Sequence, residues 1–116
     1  MLERQNDTEN SVVLVLTTFS DPEQARQIGT QLVESQLIAC INLLPAVESI
    51  YQWKGDVEVE GELVGIMKTT RQRVEELETW IEENHPYEQP EFLVVPVEAG
   101  GSGYLDWVRR HVSPSD

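Results

Sequence analysis

LIACINLLPAVESIYQWKGDVEVEGELVGIMKT, running from Leu37 to Thr69, carries the strongest strand pattern in the chain. Successive side chains of a strand point to opposite faces, so parity can be read directly. Ala39, Ile41 and Leu43 alternate with Cys40, Asn42 and Leu44. Beyond Pro45, Val47, Ser49, Tyr51 and Trp53 share one parity. Lys54-Gly55 has the chemistry of a hairpin turn, and the return strand runs from Asp56 to Thr69. In its first half Val57 and Val59 alternate with Glu58, Glu60 and Glu62, which predicts one wet face. In its second half Leu63 and Met67 alternate with Val64, Ile66 and Lys68, which predicts burial on both faces.

This hairpin is long for its host. Fully extended, residues 38 to 53 reach about 50 Å at about 3.3 Å each. A globule of this size is only about 35 Å across. The ribbon must bend, with Pro45 and Gly61 as the expected bend or bulge points, or project. Its far end carries Ile50, Tyr51, Trp53, Val57 and Val59. An apolar tip in water with open edges is unfavourable. Docking on a second subunit in a closed ring shelters it, while curling over its own sheet is the alternative.

Outward from the hairpin, Val12 to Thr18 is β-branched and apolar without alternation, the pattern of a central strand covered on both faces. A helix follows, opened by a Ser20–Glu23 capping box or by Asp21 with Pro22 in the first turn. Ala25, Ile28, Leu32 and Val33 form its inner stripe, and Gly29 is placed to permit close packing. A second helix is expected from about Thr70 to Asn84, capped by Thr69 or Thr70 and stopped before Pro86. Val74, Leu77 and Ile81 are its apolar stripe. Phe92 to Val97 reads as a strand, with Pro96 marking an edge or an end. Ser102 caps a last helix with Leu105, Val108 and Val112 inward and Arg109, Arg110 and His111 at its negative end. The order β-α-β-β-α-β plus a C-terminal helix is the α+β ferredoxin-like plan. One domain is expected over residues 12–112, with a disordered arm over 1–11 and a short tail over 113–116.

The chain has 116 residues and a formal charge of −13. A polyanion is repelled by phosphate backbones and anionic bilayers, so no nucleic-acid or membrane partner is expected. The charge either gathers cations or only solubilises the surface. The apolar run Val12 to Leu16 is too short to cross a bilayer. Residues 1–11 have no apolar signal-type segment, so a cytoplasmic location is expected. Cys40 is the single cysteine, which excludes an internal disulfide and any paired-thiolate site within one chain.

Several motifs resemble those of a known family. Leu32 to Pro45 resembles the segment ending in AACVN…P, and Ser49 to Gly55 its SxYxWxG hairpin. Met67-Lys68-Thr69 matches its KT strand end. His85 to Glu91 is similar to HPYExPE, and Tyr104 to Trp107 to the YLxW helix start. By these motifs, in order from about Val12 to His111, the chain resembles the CutA family of divalent-cation tolerance proteins. The resemblance implies a ferredoxin-like homotrimer built like the PII signalling proteins and associated with copper or other divalent-ion tolerance. Ala46 stands where many members have glycine. Some members carry further cysteines, and this chain does not.

Imidazole suits copper(II) or zinc, which makes His85 the first candidate ligand. It is equally placed to cap the preceding helix, whose C-terminus would raise its pKa. Cys40 and the carboxylate of Glu91 complete the candidate metal set, although Cys40 also reads as an inert strand thiol. The resemblance places Tyr51, Trp53, Glu62, Lys68 and Tyr87 about a cleft between subunits, with Lys68 near Glu62 or Glu91 as an ion pair or an anion anchor. Glu58, Glu60 and Glu62 form a solvated strand face or a loose hard-cation site. Trp80 and Trp107 read as helix packing, and His111 as a dipole partner. Gly100-Gly101-Ser102-Gly103 reads as a flexible turn or an anion cradle. No nucleophile elbow or acid–base pair is present, so no enzyme activity and no organic cofactor are expected. The functional expectation is a metal-tolerance trimer, with a PII-like small-ligand sensor as the alternative and a ligand-free scaffold as the third reading.

Overall fold

The computed structural model describes residues 1–113. Its elements are β1 (Leu2–Arg4), β2 (Val12–Phe19), α1 (Pro22–Glu34), β3 (Cys40–Trp53), β4 (Asp56–Thr70), α2 (Val74–Asn84), β5 (Leu93–Pro96), β6 (Ala99–Gly101) and α3 (Ser102–Val112). The main sheet has the order β3-β4-β2-β5, antiparallel throughout, which is the ferredoxin-like arrangement. Pro96 ends β5, one of the sheet's two edge strands.

Helices α1 and α2 cover one face of the sheet. Val13, Val15, Phe19, Leu63 and Met67 meet Ala25, Ile28, Leu32, Leu77 and Ile81 in the main core. Asp21, not Ser20, caps α1 by accepting from the Gln24 N–H at 3.2 Å. Val33 is turned out at 42% exposure, and Gly29 takes its expected place on the buried stripe. A Cβ on Gly29 would stand 3.0 Å from Ile41 Cγ2, so the missing side chain sets how closely α1 approaches β3. The second helix starts later than expected. Residues Arg71–Arg73 form a 3-10 turn, and Thr69 is not a cap because its hydroxyl donates to the Leu37 carbonyl at 2.7 Å.

The other face is only partly covered, contrary to the expectation of burial on both sides. Leu105, Val108 and Val112 of α3 close a small second core with Val12 and Ala39 at one end. Beyond it Leu14, Leu16, Val64 and Ile66 are half-buried, and Leu44, Leu93 and Val95 are exposed. The cause is geometric: two of the three helices pack on the same side of the sheet.

The hairpin projects and does not curl back. The molecule measures 46 × 28 × 21 Å and its radius of gyration is 15.0 Å, against about 13 Å for a compact chain of this length. One bulge interrupts the ribbon: Leu44 pairs with Val64 and Val47 with Glu62, so Pro45 and Ala46 stand opposite Leu63 alone. Ala46 sits at φ 61°, the left-handed region that favours glycine. Gly61 does not bend the strand; it pairs regularly with Glu48. The turn at Lys54-Gly55 has both φ values positive, as a two-residue hairpin requires.

The arm expected to be disordered is ordered. β1 pairs antiparallel with β6, which occupies the place assigned to a flexible glycine turn. Two side chains explain this. Gln5 donates to the carbonyls of Val12 and Val97 and accepts from the Val12 N–H, acting as a substitute ladder partner. Arg109 reaches across from α3 to Glu3 at 2.7 Å and to Gln5 at 3.1 Å. Gly101, not Ser102, precedes the first turn of α3. Of the expected tail over 113–116, only Ser113 lies within the described residues.

Candidate functional site

The candidate residues divide into two groups on opposite reaches of the sheet. The first lies where the loop after α2 crosses the root of the hairpin. His85 ends α2, is 7% exposed, and stacks on Phe19 with centroids 5.2 Å apart. Its Nε2 lies 2.7 Å from the Thr18 carbonyl and its Nδ1 accepts from the Tyr87 N–H at 3.1 Å. A carbonyl only accepts, so Nε2 carries the proton and the ring is neutral. Burial pushes the imidazole pKa down, outweighing the hydrogen bond to Thr18 and the charge of Glu62. This reverses the expectation that the helix terminus raises it. The neutral ring acts as a cap and cross-brace, and both nitrogens are committed.

Tyr87 also edges onto the His85 ring at 4.7 Å and donates its hydroxyl to Glu62 at 2.5 Å. Burial, then the carboxylate of Glu62, push the phenol well above its ordinary range. Glu62 is itself 9% exposed. Burial alone would raise its pKa, but hydroxyl donors on Ser49, Tyr87 and Thr18, with His85 nearby, hold the carboxyl below its ordinary value. Glu62 is thus a largely buried anion held by the Tyr87 hydroxyl, and the pair fastens the loop to the hairpin.

The second group surrounds Lys68 on the open face. Lys68 does not meet Glu62 or Glu91. Its Nζ donates to Asn42 Oδ1 and lies 3.8 Å from Cys40 Sγ. The register explains it: Lys68 pairs with Cys40 on one side and Leu14 on the other, so all three side chains share a face. Cys40 is half-buried, not sealed in the core. Tyr104, from the start of α3, is close enough that the Cys40 thiol adds to a burial-driven rise in the phenol pKa.

The proposed metal set is not assembled within the subunit. His85 is consumed by its two hydrogen bonds, Cys40 belongs to the Lys68 group, and Glu91 is exposed in the loop before β5. Among the described residues, no group of three His, Cys, Asp or Glu side chains is placed to hold a metal ion. Tyr51 and Trp53 lie out on the hairpin at 39% and 40% exposure. Partial desolvation and then Glu60, Glu62 and Glu58 raise the Tyr51 phenol. Lys54 sits 5.8 Å from the Trp53 ring. Trp107 stacks between Tyr104 and His111, and His111 Nδ1 lies 2.7 Å from the Trp107 carbonyl in the last turn of α3. A surface depression of about 260 Å³ lies under the N-terminal arm beside Gln5, Asn10 and Arg109, away from both groups.

No local pattern in the sequence marks Thr18, Ser49, Asn42 or Tyr104 as site residues. Their roles come from strand register and from a loop contact spanning 67 residues between Thr18 and His85. The one hint was that Ser49, Asn42 and Tyr104 fall inside the quoted motifs.

Residues 13–111 match the family model described as CutA1 divalent ion tolerance protein. The divalent-cation tolerance protein CutA of Thermus thermophilus is 40% identical over 98 residues, covering 84% of this chain and 95% of the relative. The human protein CutA is 39% identical over 100 residues, covering 86% of this chain; the chain spans only 56% of that longer relative. The structure of CutA from Synechococcus elongatus superposes with a TM-score of 0.90 at 34% identity, covering 97% of this chain and 96% of that one. A second structure of that protein, complexed with a Bis-Tris molecule, superposes with a TM-score of 0.85 at 32% identity, covering 96% and 99%. The chain belongs to the CutA1 family of divalent-ion tolerance proteins.

Proposed function

We propose that this chain acts in divalent-cation tolerance as a cytoplasmic homotrimer, with copper or another divalent ion as its ligand. The observation that carries the reading is the projecting hairpin. Ile50 at 67%, Val57 at 70% and Val59 at 56% exposure stand in water at its far end, while the open sheet face offers Leu44, Leu93 and Val95. Two unsheltered apolar surfaces on one subunit satisfy each other head to tail, and a closed ring uses both on every copy. Donors held apart in one subunit, such as the half-buried thiol of Cys40 and the exposed carboxylate of Glu91, then come from different copies. His85 serves such a site as a brace and not as a ligand. Sedimentation equilibrium tests the assembly: a folded single chain across the micromolar range refutes it. Calorimetry with copper(II) on the native protein and on Cys40→Ala and Glu91→Gln tests the ligands. Binding unchanged in both variants removes those residues from the site.

A second reading, a PII-like sensor of a small molecule in the inter-subunit cleft, has one observation in its favour. The Synechococcus relative has a structure complexed with Bis-Tris, a small amino-polyol. A thermal-shift screen of amines, polyols and carboxylic acids distinguishes the readings, because a bound ligand raises the melting temperature with its concentration.

A further inference from the structure

From the contacts of the N-terminal arm we infer that residues 1–11 form a releasable strap whose backbone supplies the N-terminal caps that α2 and α3 lack. The strap lies outside residues 13–111, the span that the family model matches. The first N–H groups of a helix have no partner within it, and a side chain usually accepts from one of them. Asp21 does this for α1. Neither α3 nor the 3-10 turn Arg71–Arg73 that leads into α2 has a side-chain cap. Carbonyls of the arm take that place. The Met1 carbonyl accepts from the Ser102 N–H at 2.8 Å, that of Ser11 from Arg71 at 2.9 Å and that of Glu9 from Gln72 at 2.9 Å. One segment thus caps two helices from opposite halves of the chain.

The way the arm is held lets it open. Of residues 1–10 only Glu3 and Gln5 are even half-buried; Leu2 is 62% exposed and Met1 fully so. Little apolar area therefore fastens the strap. Its hold is polar: the ladder to β6, the bonds of Gln5 to Val12 and Val97, and the ion pairs Glu3–Arg109 and Asp7–Arg71 at 2.7 Å each. The Asp7 side chain is 77% exposed, so salt screens its pair. Each hydrogen bond contributes little net free energy, while ordering the segment costs backbone entropy. A segment so held opens locally while the core stays closed. Val12 marks where opening stops, because it is 2% exposed and belongs to the second core with Leu105, Val108 and Val112. The first turn of α3 carries Tyr104, which neighbours Cys40. The state of the strap therefore sets how firmly that turn is held beside the thiol.

Amide hydrogen exchange, followed residue by residue by NMR on the full chain, tests the strap. The amides of Arg71, Gln72 and Ser102 should exchange through one common opening, with protection at least about 100-fold below that of Val15 in the central strand. Raising sodium chloride from about 0.05 to about 0.5 M should speed all three about 3-fold and leave Val15 unchanged. Gln5→Ala contacts none of these three N–H groups, yet it should speed all of them about 10-fold. A variant lacking residues 2–10 should fold by circular dichroism and leave the amides of Gln72 and Ser102 unprotected. Protection equal to that of Val15, rates that ignore salt, or a Gln5→Ala variant that changes fewer than all three amides overturns the strap. So does a deletion variant that fails to fold, since the arm is then part of the core.

Discussion

Replacing His85 with alanine separates a metal ligand from a structural brace. The substitution removes the Nε2–H bond to the Thr18 carbonyl and the Tyr87 N–H bond to Nδ1. Each contributes about 0.5–1.5 kcal/mol net, and the backbone groups left behind are poorly solvated. The ring also leaves its stack on Phe19 and a site only 7% exposed. Stacking contributes about 0.5–1.5 kcal/mol more, and the cavity adds to it. The sum is a destabilisation of about 3 kcal/mol, or about 10 °C in melting temperature for a domain of this size. Urea unfolding at fixed protein concentration measures it, since assembly makes apparent stability concentration-dependent. Copper(II) affinity, measured on the same preparation below its unfolding transition, should stay within about 2-fold of the native value. The pH arm has a definite sign. Burial depresses the folded-state pKa of His85, so its contribution is complete above the unfolded value of about 6.5 and is lost as pH falls below it. The alanine variant lacks that component, and its stability should fall less between pH 7 and the acid side. A loss under about 1 kcal/mol, combined with abolished copper binding, would refute the reasoning.

Tyr87→Phe removes the hydroxyl donor to Glu62, and a cost of about 1–2 kcal/mol is expected by chemical denaturation. The depressed pKa of Glu62 contributes stability above the unfolded carboxyl value that is lost as pH falls through the folded one, and an acid titration of Tyr87→Phe should show a smaller loss in that window. Ala46→Gly relieves the left-handed φ of 61° at the bulge. The gain should be about 0.5–1 kcal/mol after the glycine's unfolded-state entropy is subtracted, read as a raised urea midpoint at constant slope. Gly65→Ala would place a Cβ 2.9 Å from Phe19 Cε2 and 3.1 Å from Ile41 Cδ1. Overpacking there should cost about 1–3 kcal/mol in the same assay. Arg109→Ala cuts the ties to Glu3 and Gln5. Limited proteolysis should then cleave within residues 1–11 while the core resists.

The linear order of residues carries the ferredoxin-like order of elements, the long ribbon from Leu37 to Thr69 and the family. These depend on short-range signals: alternation on strands, apolar stripes on helices, and turn residues such as Lys54-Gly55 and Asp21-Pro22, each expressed within a few neighbouring positions. It also found the break at Pro45, because proline disrupts a ladder wherever it stands. Which atoms meet depends on how remote segments pack. The arm over 1–11 looked disordered because its partners, Glu98 and Arg109, lie about a hundred residues away. His85 resembled a ligand because nothing near it in sequence reveals the Thr18 carbonyl that takes its proton. Lys68 and Glu62 lie six positions apart on one strand, but register gives one to Asn42 and Cys40 and a crossing loop gives the other to Tyr87. Periodicity reports which face a side chain occupies; the partner it finds there is set by how distant segments pack, which no local pattern encodes.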